Sequence, residues 1–356
     1  MKILLIQLKQ IGDVLISTCL FENIKKRYPE AKIDYMVYEH TSKLIEGNPH
    51  LNKIIILNKK EQQNLLFLIT NKLLKLRAEK YDVIIDLLHT PHTAIMTWII
   101  NGKKRITVEK DKFLNKLIYN IRIKRPQNMI SIDNRNYLLK GIDENWDNFE
   151  KNIRIYLKNE EKQILKNRMI EKGVDFSKPI FAFGVNSRRD YKIWPKEYFV
   201  EVINYFIKKY NVNVILHNSP EERKYAEEIK NMIDKKENVF ENIDTYNIRE
   251  LATLFSNIDI YIGNEGGPRH IAEAVGKPTF TIAYLKLNKK FWIPNEGRYH
   301  RIIELKDVYN MSDIEYEKYR ISKKNEDSLK ERYNLKPDLV INKIEKMILD
   351  LKIVKK

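Results

Sequence analysis

The chain has 356 residues, 43% hydrophobic and 32% charged, with 65 Lys and Arg against 48 Asp and Glu for a formal net charge of +17. That composition excludes a disordered chain, and the length exceeds what one core usually supports, so two domains are expected. No apolar run reaches about 18 residues, so no membrane span is expected; the opening nine residues turn polar too soon for a signal peptide, and a lone cysteine, Cys19, cannot form an internal disulfide.

The expectation is therefore a soluble, cytoplasmic protein with Cys19 filling core. The positive excess favours anionic partners, whether nucleic acid, phosphorylated metabolites or an anionic membrane face. The joint abundance of Lys, Ile and Asn is also open to reading as compositional drift, with no functional content.

In chain order, strands are expected at residues 2–7, 33–37, 53–57, 82–87 and 105–108. They are rich in Ile and Val without strict alternation, as strands buried on both faces are. Helical spacing runs through Leu15, Cys19 and residues 21–24 before Pro29, and again through 65–76. Residues 113–124 mix apolar and basic side chains at helical spacing. Such a helix either lies on an anionic bilayer or buries its apolar side and leaves its lysines in water.

Residues 125–148, with Pro126, are polar and irregular, and 160–172 reads as a charged connecting helix ended by Gly173. The domains are accordingly placed at 1–160 and 174–330. In the second, strands are expected at 179–184, 213–217, 239–241, 258–263 and 279–283, with helices at 196–209, 221–233, 248–256 and 268–275. This alternation predicts an α/β protein of two doubly wound, parallel domains. No repeat of tens of residues is visible, which excludes a solenoid. A charged linker at 317–332 precedes Pro337, which opens an amphipathic helix over 337–356 carrying Ile341, Ile344, Met347 and Ile348. Its apolar face is expected to pack back on the N-terminal domain.

Three segments could carry chemistry. Gln10-Ile11-Gly12-Asp13 follows the first strand, where parallel sheets bind ligands. Gly12 permits a close approach. Asp13 has two readings, a general base for a hydroxyl nucleophile or the N-cap of the helix that follows. Gly263-Asn264-Glu265-Gly266-Gly267-Pro268-Arg269-His270 follows a later strand. Its glycines and Pro268 open a helix whose N-terminus is a ready phosphate site, and Arg269 and His270 add donors. Ser187-Arg188-Arg189-Asp190-Tyr191-Lys192 places cations and a hydroxyl at another strand end. It reads as a diphosphate grip with Lys192 on the leaving oxygen, or as a solvated basic loop. Asp86 near the end of the fourth strand, and His89 and His92 after it, are weaker acceptor contacts.

Absences narrow the field. No Gly-x-Gly-x-x-Gly follows the first strand and no Gly-x-x-x-x-Gly-Lys-Ser/Thr occurs, which disfavours dehydrogenases and P-loop enzymes. The histidines and the cysteine form no zinc spacing, and no metal or cofactor is expected.

Taken in order, the opening strand with Gly12-Asp13-Val14-Leu15, Tyr81–Leu87, Lys192-Ile193-Trp194-Pro195, Pro220-Glu221-Glu222-Arg223 and Gly263–Ala274 resemble glycosyltransferase family 9, the ADP-heptose:lipopolysaccharide heptosyltransferases. The resemblance spans most of residues 1–285. It implies a GT-B architecture, two Rossmann-like domains facing across a cleft, with acceptor on the first and nucleotide sugar on the second. It implies inverting, metal-independent transfer to a lipid-linked acidic glycan, in the cytoplasm at the inner face of the membrane, with no nucleic acid partner.

By the same resemblance Asp13 matches the catalytic base, Lys192 the phosphate-binding lysine, Glu222 a nucleoside contact, and Gly266, Gly267 and His270 the phosphate turn. Ser187, Arg188, Glu265, Pro268 and Arg269 complete the donor set. Glu265 and Gly266 stand where many members carry Asp then Ser or Thr, which leaves the donor sugar open. Three competing readings remain: a sugar-nucleotide epimerase sharing the architecture, a basic nucleic-acid-binding protein, for which no recognition motif is present, and a degenerate transferase serving as a scaffold, against which Asp13 and Lys192 speak.

Overall fold

The computed structural model describes residues 1–110, 113–126, 129–187, 189–219, 222–283, 292–293, 295–322 and 331–355. Contacts divide the chain into two units, Met1–Tyr156 with Lys290–Pro294, and Leu157–Lys289 with Asn295–Lys356. The first holds strands β1 (Lys2–Ile6), β2 (Lys32–Tyr38), β3 (Lys53–Leu57), β4 (Val83–Asp86), β5 (Lys104–Val108) and β6 (Ile121–Ile123). The second holds β7 (Ile180–Gly184), β8 (Asn213–Leu216), β9 (Val239–Phe240), β10 (Ile260–Asn264), β11 (Thr279–Ile282) and β12 (His300–Ile303).

Both sheets are parallel throughout, ordered β3-β2-β1-β4-β5-β6 and β12-β11-β10-β7-β8-β9. Renumbered within its own unit, the second order is the same as the first. Helices cover both faces, which is why the central strands read as unbroken apolar runs: Ile3, Leu4, Leu5 and Ile6 have no exposed surface, nor do Phe181, Ala182 and Phe183. In each sheet the winding reverses at one central pair, β1/β4 and β7/β10. That reversal opens a crevice at the carboxyl ends of the strands.

The structure departs from the sequence reading in four places. Each sheet has a sixth strand, β6 or β12, not anticipated. In the first unit this divides residues 113–124: helix Phe113–Ile118 is followed by a turn that Asn120 pins, its amide bonding Lys103 O and Arg105 N at 2.7 Å each, and then by β6 paired to β5. A single amphipathic helix is thereby ruled out.

Residues 125–148, read as polar and irregular, contain helix Ser131–Asn136 and a turn after it that bury Ile132, Leu138 and Leu139 in the first unit. Asn23 ties this return segment down, donating to Asn136 Oδ1 at 3.1 Å and Glu150 O at 2.9 Å. Helix Asn159–Glu171, expected as a connector, belongs to the second unit, where its Glu161 takes two bonds from Arg249 at 2.5 and 2.8 Å.

The C-terminal helix Pro337–Asp350 packs on the second unit, not the first. Val340, Ile344, Met347 and Ile348 join Ile203 and Phe206 of helix Lys196–Tyr210 in one core, and Tyr205 and Tyr210 donate to Glu345 Oε1 at 2.9 and 2.7 Å. The apolar stripe of one helix is matched by the facing stripe of the other.

Candidate functional site

In the first unit, β1 passes through Gln7–Gln10 into helix Ile11–Ile16. Gln10, not Asp13, stands at the helix cap, and it makes no side-chain cap bond. Asp13 is the third helical residue. Its Oδ1 receives Arg135 Nη2 at 2.6 Å, with Lys9 Nζ at 3.8 Å. Arg135 is itself fixed on both remaining arms, by Ser131 O at 2.8 Å and Ser17 Oγ at 3.0 Å. The Ser17 hydroxyl donates to Asp13 O at 2.8 Å and accepts Gln7 Nε2 at 2.9 Å. The cap reading therefore falls, and what replaces it is a carboxylate held in one orientation at the end of a buried strand. Gly12, buried beside it, brings no side chain to the first turn.

Across the crevice, at the end of β4, Asp86 has no exposed surface. Its Oδ1 accepts the N–H groups of Leu88 and His89 at 2.9 and 3.0 Å, and the Tyr119 hydroxyl donates to Oδ2. Burial pushes its carboxyl above the ordinary range, while the Tyr119, Thr93 and backbone donors pull the other way. Asp86 is thus a fastener of the β4 turn and not, as anticipated, a group offered to an acceptor. The turn it fastens holds His89 at φ 49°, a left-handed conformation rare outside glycine. His89 and His92 are half-buried at this end of the strand, His92 in the first turn of helix Pro91–Ile100, which Thr90 caps.

In the second unit the loop after β7 ends in a short turn, Asp190–Lys192, and the loop after β10 leads into helix Gly267–Ala274. Lys192 Nζ meets Glu265 Oε2 at 2.5 Å, across the β7/β10 crevice. Asn264, the last residue of β10, clamps the other loop, accepting Trp194 N and donating to Val185 O, both at 3.0 Å. The two strand ends come this close because Gly184 and Gly263 face each other main chain to main chain. A Cβ on Gly263 would lie 2.5–2.8 Å from the backbone of Gly184, and one on Gly184 would collide with the Tyr261 ring.

Gly266 caps the helix and has no comparable steric need. Its φ of 174° is ordinary extended backbone, and an added Cβ would meet Pro268 Cδ at 3.6 Å. No side chain caps this helix, and Pro268 in its first turn brings no N–H.

The rest of the anticipated donor set divides. Ser187 is half-buried, its N–H bonded to Asn186 Oδ1 at 2.8 Å, and Arg188 lies outside the described residues. Arg269 and His270 turn inward: the Arg269 guanidinium is fully buried, with Nη1 on Glu273 Oε2 at 2.7 Å and Nη2 beside His270 Nδ1 at 2.8 Å. An apolar helix face has no room for an unpaired guanidinium, so the cation serves the fold rather than a ligand.

A partly open pocket lies at the ends of β8 and β9, lined by His217, Asn218, Arg223, Asp244, Thr245 and Leu254 among others. Burial pushes the His217 imidazole down to about 4, against the pull of the Glu222 carboxylate. Glu222 opens the next helix and accepts Ser219 N at 2.9 Å. Among the described residues no group of three or more His, Cys, Asp or Glu could hold a metal ion, and no helix is long and apolar enough to cross a membrane.

Two residues escaped the sequence reading. Arg135 lies 122 positions from Asp13 in a stretch with no periodicity to mark it. Asn264 stands inside a motif already singled out, but nothing local reveals that its amide spans two loops.

A family model for glycosyltransferase family 9 (heptosyltransferase) matches residues 71–320. Lipopolysaccharide heptosyltransferase 1 of Campylobacter coli is 23% identical over 291 residues, covering 79% of this chain and 83% of that protein. Among solved structures, a family 9 glycosyltransferase from Veillonella parvula superposes with a TM-score of 0.84 at 20% identity, over 98% of this chain and 97% of that one. Escherichia coli ADP-heptose lps heptosyltransferase II does so with a TM-score of 0.77 at 16% identity, over 99% and 100%. The structural likeness carries the α/β, GT-B-like fold, and the family model covers well over half of the sequence: the chain belongs to glycosyltransferase family 9, the heptosyltransferase family, and is a glycosyltransferase.

Proposed function

We propose that this enzyme transfers heptose from ADP-heptose to a lipid-linked, acidic lipopolysaccharide core acceptor at the inner face of the cytoplasmic membrane, with inversion and without a metal ion. The observation that carries the reading is the pair of opposite charges at equivalent places: an oriented carboxylate, Asp13, at the crevice of the first sheet and an ammonium, Lys192, at that of the second. The names of the Campylobacter coli relative and of the Escherichia coli structure supply the sugar and the glycan class.

Asp13 takes the proton of an acceptor hydroxyl as that oxygen attacks the anomeric carbon. The bond from that carbon to the diphosphate oxygen breaks on the opposite face, and its electron pair leaves with ADP. A single displacement inverts the centre. Lys192 and the N–H groups at Gly266–Gly267 balance the charge that collects on the diphosphate. Before donor arrives, Glu265 holds Lys192 in place. The nucleoside occupies the pocket at β8 and β9, beside Glu222. Glycine at 266, which no neighbour demands, leaves the helix end open for phosphate to approach.

Thermal stabilisation by a panel of nucleotides and nucleotide sugars tests this. ADP and ADP-heptose at a hundredfold excess over Kd are expected to add about 2.7 kcal/mol of apparent stability, unchanged by EDTA, because the cations facing the diphosphate belong to the chain. A selective response to UDP-sugars overturns the heptose assignment, and loss of the response in EDTA overturns the metal-free mechanism. Turnover of donor into an isomeric nucleotide sugar without any acceptor overturns transfer in favour of epimerisation.

A further inference from the structure

Three successive connections of the first sheet, β3 to β4, β4 to β5 and β5 to β6, all advance in one direction across the order β3-β2-β1-β4-β5-β6. Parallel crossovers are right-handed, so these three connections lie on one face of the sheet. They are the helical segments within 59–78, helix Pro91–Ile100 and helix Phe113–Ile118. Neighbours pack side by side: Arg77 Nη1 donates to Ile99 O at 3.0 Å, and Ala94 packs against Ile118 and Tyr119.

The outer side of this layer is unusually apolar. Leu66 is 71% exposed, Leu74 50%, Trp98 60%, Phe113 79% and Leu117 65%. Phe113 and Leu117 stand one turn apart on one side of their helix, and Trp98 stands one turn beyond Ala94, on the side that meets that helix. Isolated exposed apolar residues need no explanation, but five on one helical layer do.

Cations predominate around them: Lys59, Lys60, Lys75, Arg77 and Lys116 are exposed on the same segments, while Glu61 is buried and paired to Lys72 at 2.6 Å and the exposed Glu79, at the C-terminal cap of the helix over 74–78, is paired to Lys2. A layer with exposed Trp, Phe and Leu, a mainly cationic rim and its carboxylates held by lysines is complementary to an anionic bilayer. Its apolar side chains enter the headgroup boundary, and its cations are drawn to the anionic headgroups.

We propose that this layer is a lipid-docking surface that seats the first unit on an anionic membrane. The proposal deepens the functional reading above by naming the face turned to the lipid, and it rests on that reading only for its purpose. Its binding test needs neither donor nor acceptor.

The test is co-sedimentation of the full chain with vesicles of phosphatidylglycerol and phosphatidylethanolamine, against vesicles of phosphatidylcholine alone. Binding is expected for the anionic vesicles, lost at high salt. It is expected to blue-shift the tryptophan fluorescence, since Trp98 is 60% exposed while Trp146 and Trp194 are buried and Trp292 is half-buried. The triple variant Trp98→Ser, Phe113→Ser, Leu117→Ser is expected to fold, to lose vesicle binding at least tenfold, and to keep the wild-type rate on a detergent-dispersed acceptor.

Equal binding to both lipids, or undiminished binding by the triple variant, overturns the proposal. So does lipid-free self-association that the same variant abolishes, which would make a second copy of the chain the occupant. Vesicle binding without any sugar transfer would overturn the functional reading and leave the surface standing. Transfer without vesicle binding would do the reverse.

Discussion

The two sheets share one strand order and differ in what they hold at the crevice. At β1/β4 two short helices bring together a carboxylate and the guanidinium that orients it; at β7/β10 the loops bring an ammonium and the carboxylate that orients it. Winding alone decides where a ligand meets each sheet, and the loop residues decide its chemistry. The supports differ too. Asp13 is steered from a distant return segment by Arg135, which the local pair Ser17 and Gln7 holds in turn. Lys192 is steered from the neighbouring strand end, where Asn264 fixes the loop and Glu265 the ammonium.

The contrast is broken most severely by removing the first unit's proton acceptor. Asp13→Asn keeps the side-chain shape and one oxygen for Arg135, so the variant is expected to fold and to bind donor as wild type does. Its transfer rate is expected to fall by about 10²–10⁴, the usual contribution of a general base. Single-turnover assays with saturating donor measure this; a near-wild-type rate would leave Asp13 a purely structural role.

Lys192→Met removes the second unit's cation. The rate is expected to drop by about 10²–10³, the scale for losing one group that stabilises leaving-group charge, and nucleotide affinity should weaken with it, unlike in Asp13→Asn. Calorimetric titration with ADP on both variants separates the halves. Equal ADP binding by Lys192→Met and wild type would remove Lys192 from the phosphate site.

Gly266→Ala sharpens the comparison with the smallest change. Extended backbone and a 3.6 Å contact with Pro268 Cδ leave room for a methyl group, so the melting temperature should hold. Obstructing one or two N–H contacts to phosphate, at about 1 kcal/mol each, should weaken ADP binding by roughly 5- to 30-fold. A variant that melts early but binds normally would assign the glycine to folding.

The central strands were legible because burial on both faces writes itself as continuous Ile, Val and Phe. One edge strand of each sheet was not: Ile121–Ile123 is three residues long and alternates with charge, and His300–Ile303 opens on His and Arg, patterns that loops share. Asp13 and Lys192 were legible because each follows a recognisable strand. The roles of Asp86 and Arg269 were not, since sequence position fixes a residue's place on the fold but not the rotamer that turns it inward. Their partners, Tyr119 and Glu273, decide that direction. Arg135 was hidden for a related reason, because a bond spanning 122 residues leaves no local trace.

Gly184 and Gly263 carry a consequence for how this protein can vary over generations. Each is closed to substitution by a different neighbour: a methyl group at 263 strikes the main chain of 184, and one at 184 strikes the Tyr261 ring at its hydroxyl and adjoining carbon. Main chain has no rotamer to rotate away, so the first collision cannot be relieved by a neighbouring side chain. Neither position can be explored one mutation at a time without a folding defect. Variation at this end of the sheet therefore falls to the loops that follow the two strands, while the strand ends themselves stay as they are.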